Sequence, residues 1–270
     1  MCKDSDYIKL YYFKHPNLGD KMNELFIEKL FNRKVQFADC LSAEMMAIGS
    51  ILDDIILENG QQMKSPPPYP IKVWGTGLVS SYMIPPVFRR TLDIYALRGQ
   101  LTREIVSKAI GKDVECVLAD PGLLASLMIE PVKKHYDIGI IPHYVDFKLP
   151  EINDLKDYYE NSIIINVRDD FYNVIQKILS CRCVVSSSLH GLIIADSFNI
   201  PNQWIVASDK VIGDGFKFRD YYSSYNLDAK CYDLRKKEIP TIKEIYSGYK
   251  IKSKDVQQKQ KDLLDSFPLK

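Results

Sequence analysis

Short apolar, β-branched runs alternate along this chain with polar stretches in which apolar residues return every third or fourth position. The first run, YIKLYYF (7–13), is followed by the polar turn KHPNLGD. In KMNELFIEKLF behind it, Met22, Leu25, Phe26 and Leu30 share one helical face. Asp20 stands where the cap of that helix belongs, with Asn23 and Glu24 in its first turn. VQFA (35–38) and MMAIGSIL (45–52) are further short apolar runs. IKVWGTGL (71–78) reads as a strand entering a Gly-Thr-Gly turn. LDIYALRG (92–99) repeats the theme, with QLTREIVSKAI as the helix behind it. VECVLADPGLL (114–124) is a strand, a tight Asp-Pro-Gly turn and a short helix. KSPPPYP (64–70) suits neither helix nor central strand and reads as a surface connector.

IEPVKKHY (129–136) breaks the alternation, which then restarts. DIGIIPHYVD and SIIINVR (162–168) read as strands, DFYNVIQKILS as a helix, RCVVSSS (182–188) as a strand, HGLIIADSFN as a helix and QWIVAS (203–208) as a strand. Strands alternating with helices predict parallel sheets with helices on both faces, here an α/β chain of two Rossmann-like halves. The closing KSKDVQQKQKDLLDSF places Val256, Leu263, Leu264 and Phe267 on one helical face, with its lysines expected to solvate the other. The expected divisions are 1–132, 133–248 and a final helix, 249–270, that packs back toward the first.

Composition narrows the function classes. Lys and Arg number 36 against 35 Asp and Glu, a net charge of +1, so the chain offers no global field for nucleic acid, and any anion site must be local. No apolar run approaches the ~18 residues of a membrane span. The start, MCKDSD, has no apolar stretch of a secretory leader, which predicts a cytoplasmic protein. Six cysteines (Cys2, Cys40, Cys116, Cys181, Cys183, Cys231) lack metal-type spacing and are expected to be reduced, mostly buried thiols. No metal site is expected.

In open parallel sheets, ligands bind beyond the carboxyl ends of strands, and several such turns carry chemistry. In VVSSSLHGLIIADSFNIP (184–201) an apolar strand ends in Ser186, Ser187 and Ser188, with Leu189, His190 and Gly191 opening a helix. Hydroxyls and free N–H groups at a helix start make an anion cradle, Gly191 lets a ligand approach the backbone, and His190 suits proton transfer near neutrality. A packed histidine beside capping serines is the alternative. Asn17, Gly19 and Asp20 form a loop entering a helix, in which Asp20 is either a cap or a base toward a sugar hydroxyl. Gly75, Thr76 and Gly77 make a Gly-rich strand-end turn without a dinucleotide or P-loop pattern. Arg98 is placed to meet an anion, whereas Arg103 reads as structural. Lys217 and Arg219 in GDGFKFRDYY either grip a phosphate or carboxylate or pair with Asp214 and Asp220.

Taken in order, NLGD, WGTGL, ALRGQLTRE, ADPGLL, IPHYVD, SSSLHGLIIADSFNIPN and GDGFKFRDYY resemble the polysaccharide pyruvyl transferase family, over roughly residues 7 to 225. The last two strings are the most specific and resemble the bacterial exopolysaccharide branch. The resemblance implies a glycosyltransferase-B-like pair of domains facing across a cleft. It implies phosphoenolpyruvate as donor, a glycan or lipid-linked sugar as acceptor, no further cofactor, no nucleic acid, and transient contact at the inner membrane face. Related enzymes show Arg-Leu-His, with a donor-binding Arg, where this chain has Ser188, Leu189 and His190. The resemblance therefore shifts anion binding to Arg98, Lys217 or Arg219. His190 is the expected acid, Asp20 the expected base, and His143 the competing base. A nucleotide-sugar glycosyltransferase on the same fold is the rival enzyme, and a glycan-binding protein with a decayed site the non-enzymatic alternative.

Overall fold

The computed structural model describes residues 7–14, 18–57 and 69–269. Asn17, Cys2 and most of the KSPPPYP connector lie outside them.

The first half runs β1 (Tyr7–Tyr11), α1 (Leu18–Phe31), β2 (Lys34–Phe37), β3 (Met45–Met46), β4 (Ile71–Trp74), β5 (Leu92–Leu97), α2 (Gln100–Ile110) and β6 (Val117–Leu118), then a 3-10 helix, Pro121–Leu127. The second runs β7 (Tyr136–Ile141), α3 (Pro150–Tyr158), β8 (Ser162–Ile164), α4 (Phe171–Leu179), β9 (Cys181–Ser186), α5 (Leu189–Ser197), β10 (Asn202–Val206), α6 (Phe216–Ser223), β11 (Cys231–Asp233), α7 (Ile242–Gly248) and α8 (Ser253–Ser266). These strands form two sheets, in the orders β2-β1-β3-β4-β5-β6 and β11-β10-β9-β7-β8, and each pairing within them is parallel. The chain is thus an α/β protein with two Rossmann-like parallel sheets.

Each sheet changes direction of growth once. In the first, β2 lies on one side of β1 and β3 to β6 continue on the other. In the second, β8 lies on one side of β7 and β9 to β11 on the other. The chains leaving β1 and β3, and those leaving β7 and β9, therefore diverge and open a crevice at each switch point.

The helices between the sheets belong to one core. A single buried cluster joins Ile8, Met22 and Phe26 of the first half to Val174, Ile178, Leu192 and Ile193 of the second. In α5 nearly all residues are buried, because its apolar sequence is packed all round rather than on one stripe. α8 closes on the first half: Trp74 Nε1 donates to the Leu263 carbonyl at 3.2 Å, and Phe267 stacks on Phe31 with ring centres 3.6 Å apart.

Some local readings change. Asp20 lies inside α1, which starts at Leu18, so it is a first-turn residue and not the cap. GFKFRDYY is helix α6, because Gly215 takes a left-handed φ of 69° at its start, Phe218 and Tyr221 bury one face in the main core, and Phe216 enters a second buried cluster on the other side. α3 and α7 appear where no helix was expected. Gln260 joins Val256 and Leu263 on the buried side of α8, while Leu264 is only half-buried. Lys259 does not solvate the outer face: its Nζ donates to the carbonyls of Leu118 and Ser224, and burial pushes its pKa down to about 8. Of the five described cysteines, all free, Cys181 and Cys183 are buried, Cys40 and Cys116 half-buried, and Cys231 exposed.

Candidate active site

The two switch points face a common cavity of about 410 Å³. From the first half come Phe13 and Asp20, after β1, and Gly49, Ser50 and Ile51, after β3. From the second come His143, Tyr144 and Val145, after β7, and Ser188, Leu189 and His190, after β9. Lys217 of α6 completes the wall, so both halves contribute charged side chains to one space.

The helix start at α5 is built for exposure of backbone donors. Ser188 caps it in extended backbone (φ −103°, ψ 123°), but no side chain accepts from the first N–H groups. A helix N-terminus left open toward a cavity attracts an anion. His190, in the first turn, keeps 15% of its side chain exposed. Its ring lies flat against Gly19, where a Cβ would collide with Nδ1 and Cε1. Gly19 is therefore a packing glycine that lets α1 and α5 converge, and it touches the site only through His190.

Lys217 supplies the cation. It is half-buried, with no hydrogen-bond partner among the described residues, and its Nζ lies 5.6 Å from the Phe218 ring centre. Burial, reinforced by the nearby Arg98 guanidinium and opposed by Asp146, lowers its pKa to about 8. His143 is driven the same way, to about 3, by burial first and then by Lys217, Arg168 and His190. It is a neutral imidazole at neutral pH, packed against Tyr144 with ring centres 4.4 Å apart and planes tilted by 32°.

Other expected site residues are placed in packing roles. Ser186 Oγ donates to the carbonyls of Ile141 and Ser188 and accepts the Ser188 N–H. Ser187 Oγ donates to Asp146 at 2.7 Å and accepts the His143 N–H at 2.8 Å, so it positions His143, and Ser187 borders a second cavity rather than this one. Gly191 admits no ligand: a Cβ there would stand 2.6 Å from Ser186 Oγ and 2.9 Å from Ile141, so it serves helix-to-strand contact. Thr76 Oγ1 donates to the Gly49 carbonyl at 2.7 Å and accepts the Ile51 N–H, fixing the cavity loop from behind. Gly75 turns at φ 91° against Pro121, and a Cβ on Gly77 would stand 2.5 Å from the Arg98 guanidinium.

Arg98 requires a plain correction. It is fully buried and ion-paired to Asp220, Nε to Oδ2 at 2.8 Å. Nη1 donates to Ser50 Oγ and Nη2 to the Leu78 carbonyl, both at 2.6 Å. Its fork is spent on joining the first sheet to α6. Arg219 is exposed and lines a second cavity of about 430 Å³, with Trp204, Asp209, Gly213, Gly215 and Arg235. The two cavities meet at Ile212, which borders both. Among the cavity residues, Asp54, Val79, Lys210 and Ile212 had no part in the sequence reading, and Ser50, Tyr144 and Val145 entered it only inside the runs MMAIGSIL and IPHYVD. The signal that marks them is topological, since most follow strands that flank a switch point.

Fold and site together define a two-sheet parallel α/β protein with a cavity lined by titratable side chains at its facing switch points. The chain belongs to the polysaccharide pyruvyl transferase family, whose sequence profile matches residues 46–209. It is 30% identical over 228 residues to an uncharacterized protein of Acanthamoeba polyphaga mimivirus, covering 82% of this chain and 75% of that one. It is 25% identical over 223 residues to the succinoglycan biosynthesis protein ExoV of Rhizobium meliloti (strain 1021), covering 79% of this chain and 64% of that one. Membership supports a transferase of the polysaccharide pyruvyltransferase type. Among the described residues, no helix is long and apolar enough to cross a membrane.

Proposed function

We propose that the protein moves pyruvate from phosphoenolpyruvate onto two hydroxyls of a sugar in a surface or exopolysaccharide precursor, forming a cyclic ketal and releasing phosphate. The observation that carries this reading is the meeting of Lys217, the open start of α5 and His190 in one cavity whose opposite wall bears Asp20. Phosphoenolpyruvate carries a phosphate and a carboxylate, and a half-buried ammonium with oriented N–H donors suits both.

His190 protonates the methylene carbon of the enol ether, and positive charge develops at the neighbouring carbon. One sugar hydroxyl oxygen bonds to that carbon, the bond to phosphate oxygen breaks with its electron pair leaving on phosphate, and the second hydroxyl closes the ring. Of the two hydroxyl protons, one returns to His190 by way of Asp20 and the other leaves with phosphate. No cofactor beyond the donor enters this balance. His143, with its low basicity, is a poor proton acceptor and suits a hydrogen-bonding role toward the donor. The switch-point cleft supports two facing domains of the glycosyltransferase-B kind, divided near residue 132, with the acceptor on the first and the donor on the second. The acceptor is a glycan or a lipid-linked sugar, met in the cytoplasm or by transient contact with the inner membrane face.

The second cavity, with Arg219 beside the left-handed Gly213 and Gly215, favours a rival: a nucleotide-sugar transferase holding a diphosphate there. Thermal-shift titration separates the two. Phosphoenolpyruvate at ~100 times its dissociation constant stabilises by about 2.7 kcal/mol, and UDP- and GDP-sugars are expected to give no shift. A shift with nucleotide sugars alone overturns pyruvyl transfer, as does failure to release phosphate from phosphoenolpyruvate in the presence of acceptor glycans.

A further inference from the structure

Asp120 sits at the turn after β6, fully buried, and its two oxygens have different fates. Oδ1 accepts the Gly122 N–H at 2.8 Å and so caps the 3-10 helix Pro121–Leu127. Oδ2 has no hydrogen-bond partner among the described residues, and neither has the buried Nε2 of His190. These two orphaned atoms lie 3.7 Å apart, across the junction of the two halves. A buried carboxylate oxygen without a partner is costly, and native structures leave few of them. A separation just beyond hydrogen-bond length is how a catalytic pair looks before substrate tightens it. Neither side drifts freely: Gly19 backs the imidazole, and the Gly122 bond holds the carboxylate.

We propose that Asp120 is the positioning residue of His190: it accepts the Nε2–H, fixes the imidazole tautomer and stabilises the imidazolium. Nδ1 is then the nitrogen that exchanges a proton with substrate. This rests on His190 being the acid of the proposed transfer. The other charged or titratable groups around the imidazole are Asp20 and Asp54 from the first half and His143, Tyr144, Lys210 and Lys217 from the second, which line the cavity it borders. Asp120 approaches from behind, outside that lining, so it acts on the imidazole and not on substrate. By this arrangement the first half, through Asp120, sets the protonation geometry of an acid carried by the second.

Asp120→Asn is the discriminating variant. Its amide oxygen keeps the Gly122 bond, and its NH₂ puts a donor where Nε2–H needs an acceptor, which favours the opposite tautomer. The ring nitrogens of His190 are followed by ¹⁵N–¹H correlation across pH, assigned against His190→Gln. The wild-type protein is expected to show the Nε2–H form and the Asn variant the Nδ1–H form. The KM for phosphoenolpyruvate stays within about threefold while kcat falls by ~10² or more, as for an acid–base histidine deprived of its orienting carboxylate. An Nδ1–H form in the wild-type protein overturns the pairing without any variant having to fold. So does an Asn variant with wild-type tautomer and kcat within threefold. If the wild-type protein does not turn over phosphoenolpyruvate at all, the transferase reading falls, while the nitrogen spectra still decide the pairing.

Discussion

Two clusters of charged side chains flank the junction of the halves, and they treat their polar atoms in opposite ways. In the Arg98 cluster the buried groups answer one another. Asp220 Oδ1 accepts the Thr102 N–H at 2.8 Å, Oδ2 accepts Arg98 Nε and the Thr102 hydroxyl, and the guanidinium goes on to Ser50 and Leu78. In the His190 cluster, Nε2 and Asp120 Oδ2 face each other unbonded, the α5 start has no side-chain cap, and Lys217 has no hydrogen-bond partner among the described residues. A satisfied network has nothing left for a ligand, whereas unmet donors and acceptors beside a cavity retain binding and proton-transfer capacity. Both clusters carry buried charge, and the second alone pairs it with unmet polar atoms beside the cavity.

Removing the central side chain of each cluster separates the two roles. His190→Ala is expected to lower kcat by about 10²–10⁴ and to leave the melting temperature near that of the wild-type protein. Steady-state assays of phosphate release, paired with calorimetry, measure both. Turnover within threefold of wild type removes His190 from the chemistry.

Asp220→Ala does the reverse. It strands a buried guanidinium, which costs about 3–5 kcal/mol, a fall in melting temperature of roughly 10 °C in a chain of this size. At a temperature where the variant stays folded, the affinity for phosphoenolpyruvate is expected to remain within a few-fold. If phosphoenolpyruvate binding is lost while the melting temperature holds, Arg98 belongs to the donor site after all and the contrast between the clusters collapses.

The alternation of strand and helix was readable because each buried parallel strand leaves an apolar run and each Gly or Pro turn punctuates it. VVSSS and IKVWG were such cases, and their sheets follow. The short helices were less legible. α7 carries a Thr241–Glu244 capping box, a signal present in the sequence and passed over. α6 was hidden because its aromatics mimic a ligand-gripping loop. At the site, SSSLHG lies at a strand end that lines the cavity, yet the division of labour inside it was not readable. Ser187 and Ser188 are neighbours of one type, and only the third dimension turns Ser187 toward Asp146 and leaves Ser188 on the cavity wall. Arg98 failed for the same reason: its partner, Asp220, lies 122 positions away. Asp120 looked like a turn residue, and its second oxygen has meaning only beside an imidazole from the other half.

Lys217 offers the smallest and most graded test, because it stands between the clusters: its ammonium borders the cavity while the Arg98 charge helps hold its pKa at about 8. The lowered pKa means that the cation is fully formed below about pH 8 and is lost as pH rises through it. The KM for phosphoenolpyruvate is therefore expected to be flat well below pH 8, to climb through it, and to level off about tenfold higher once the ammonium is neutral. The donor contributes little slope there, since the second ionisation of a phosphate ester has its midpoint near ~6 and is nearly complete before that range. Lys217→Met is expected to raise KM by about tenfold, the loss of one charge-assisted contact, and to remove the slope, while Lys217→Arg keeps KM flat to higher pH. Lys259 titrates in the same range but is tied to carbonyls beneath α8. Lys259→Met retaining the wild-type slope assigns it to Lys217, and a slope that disappears with Lys259 instead moves the donor's cation out of the cavity.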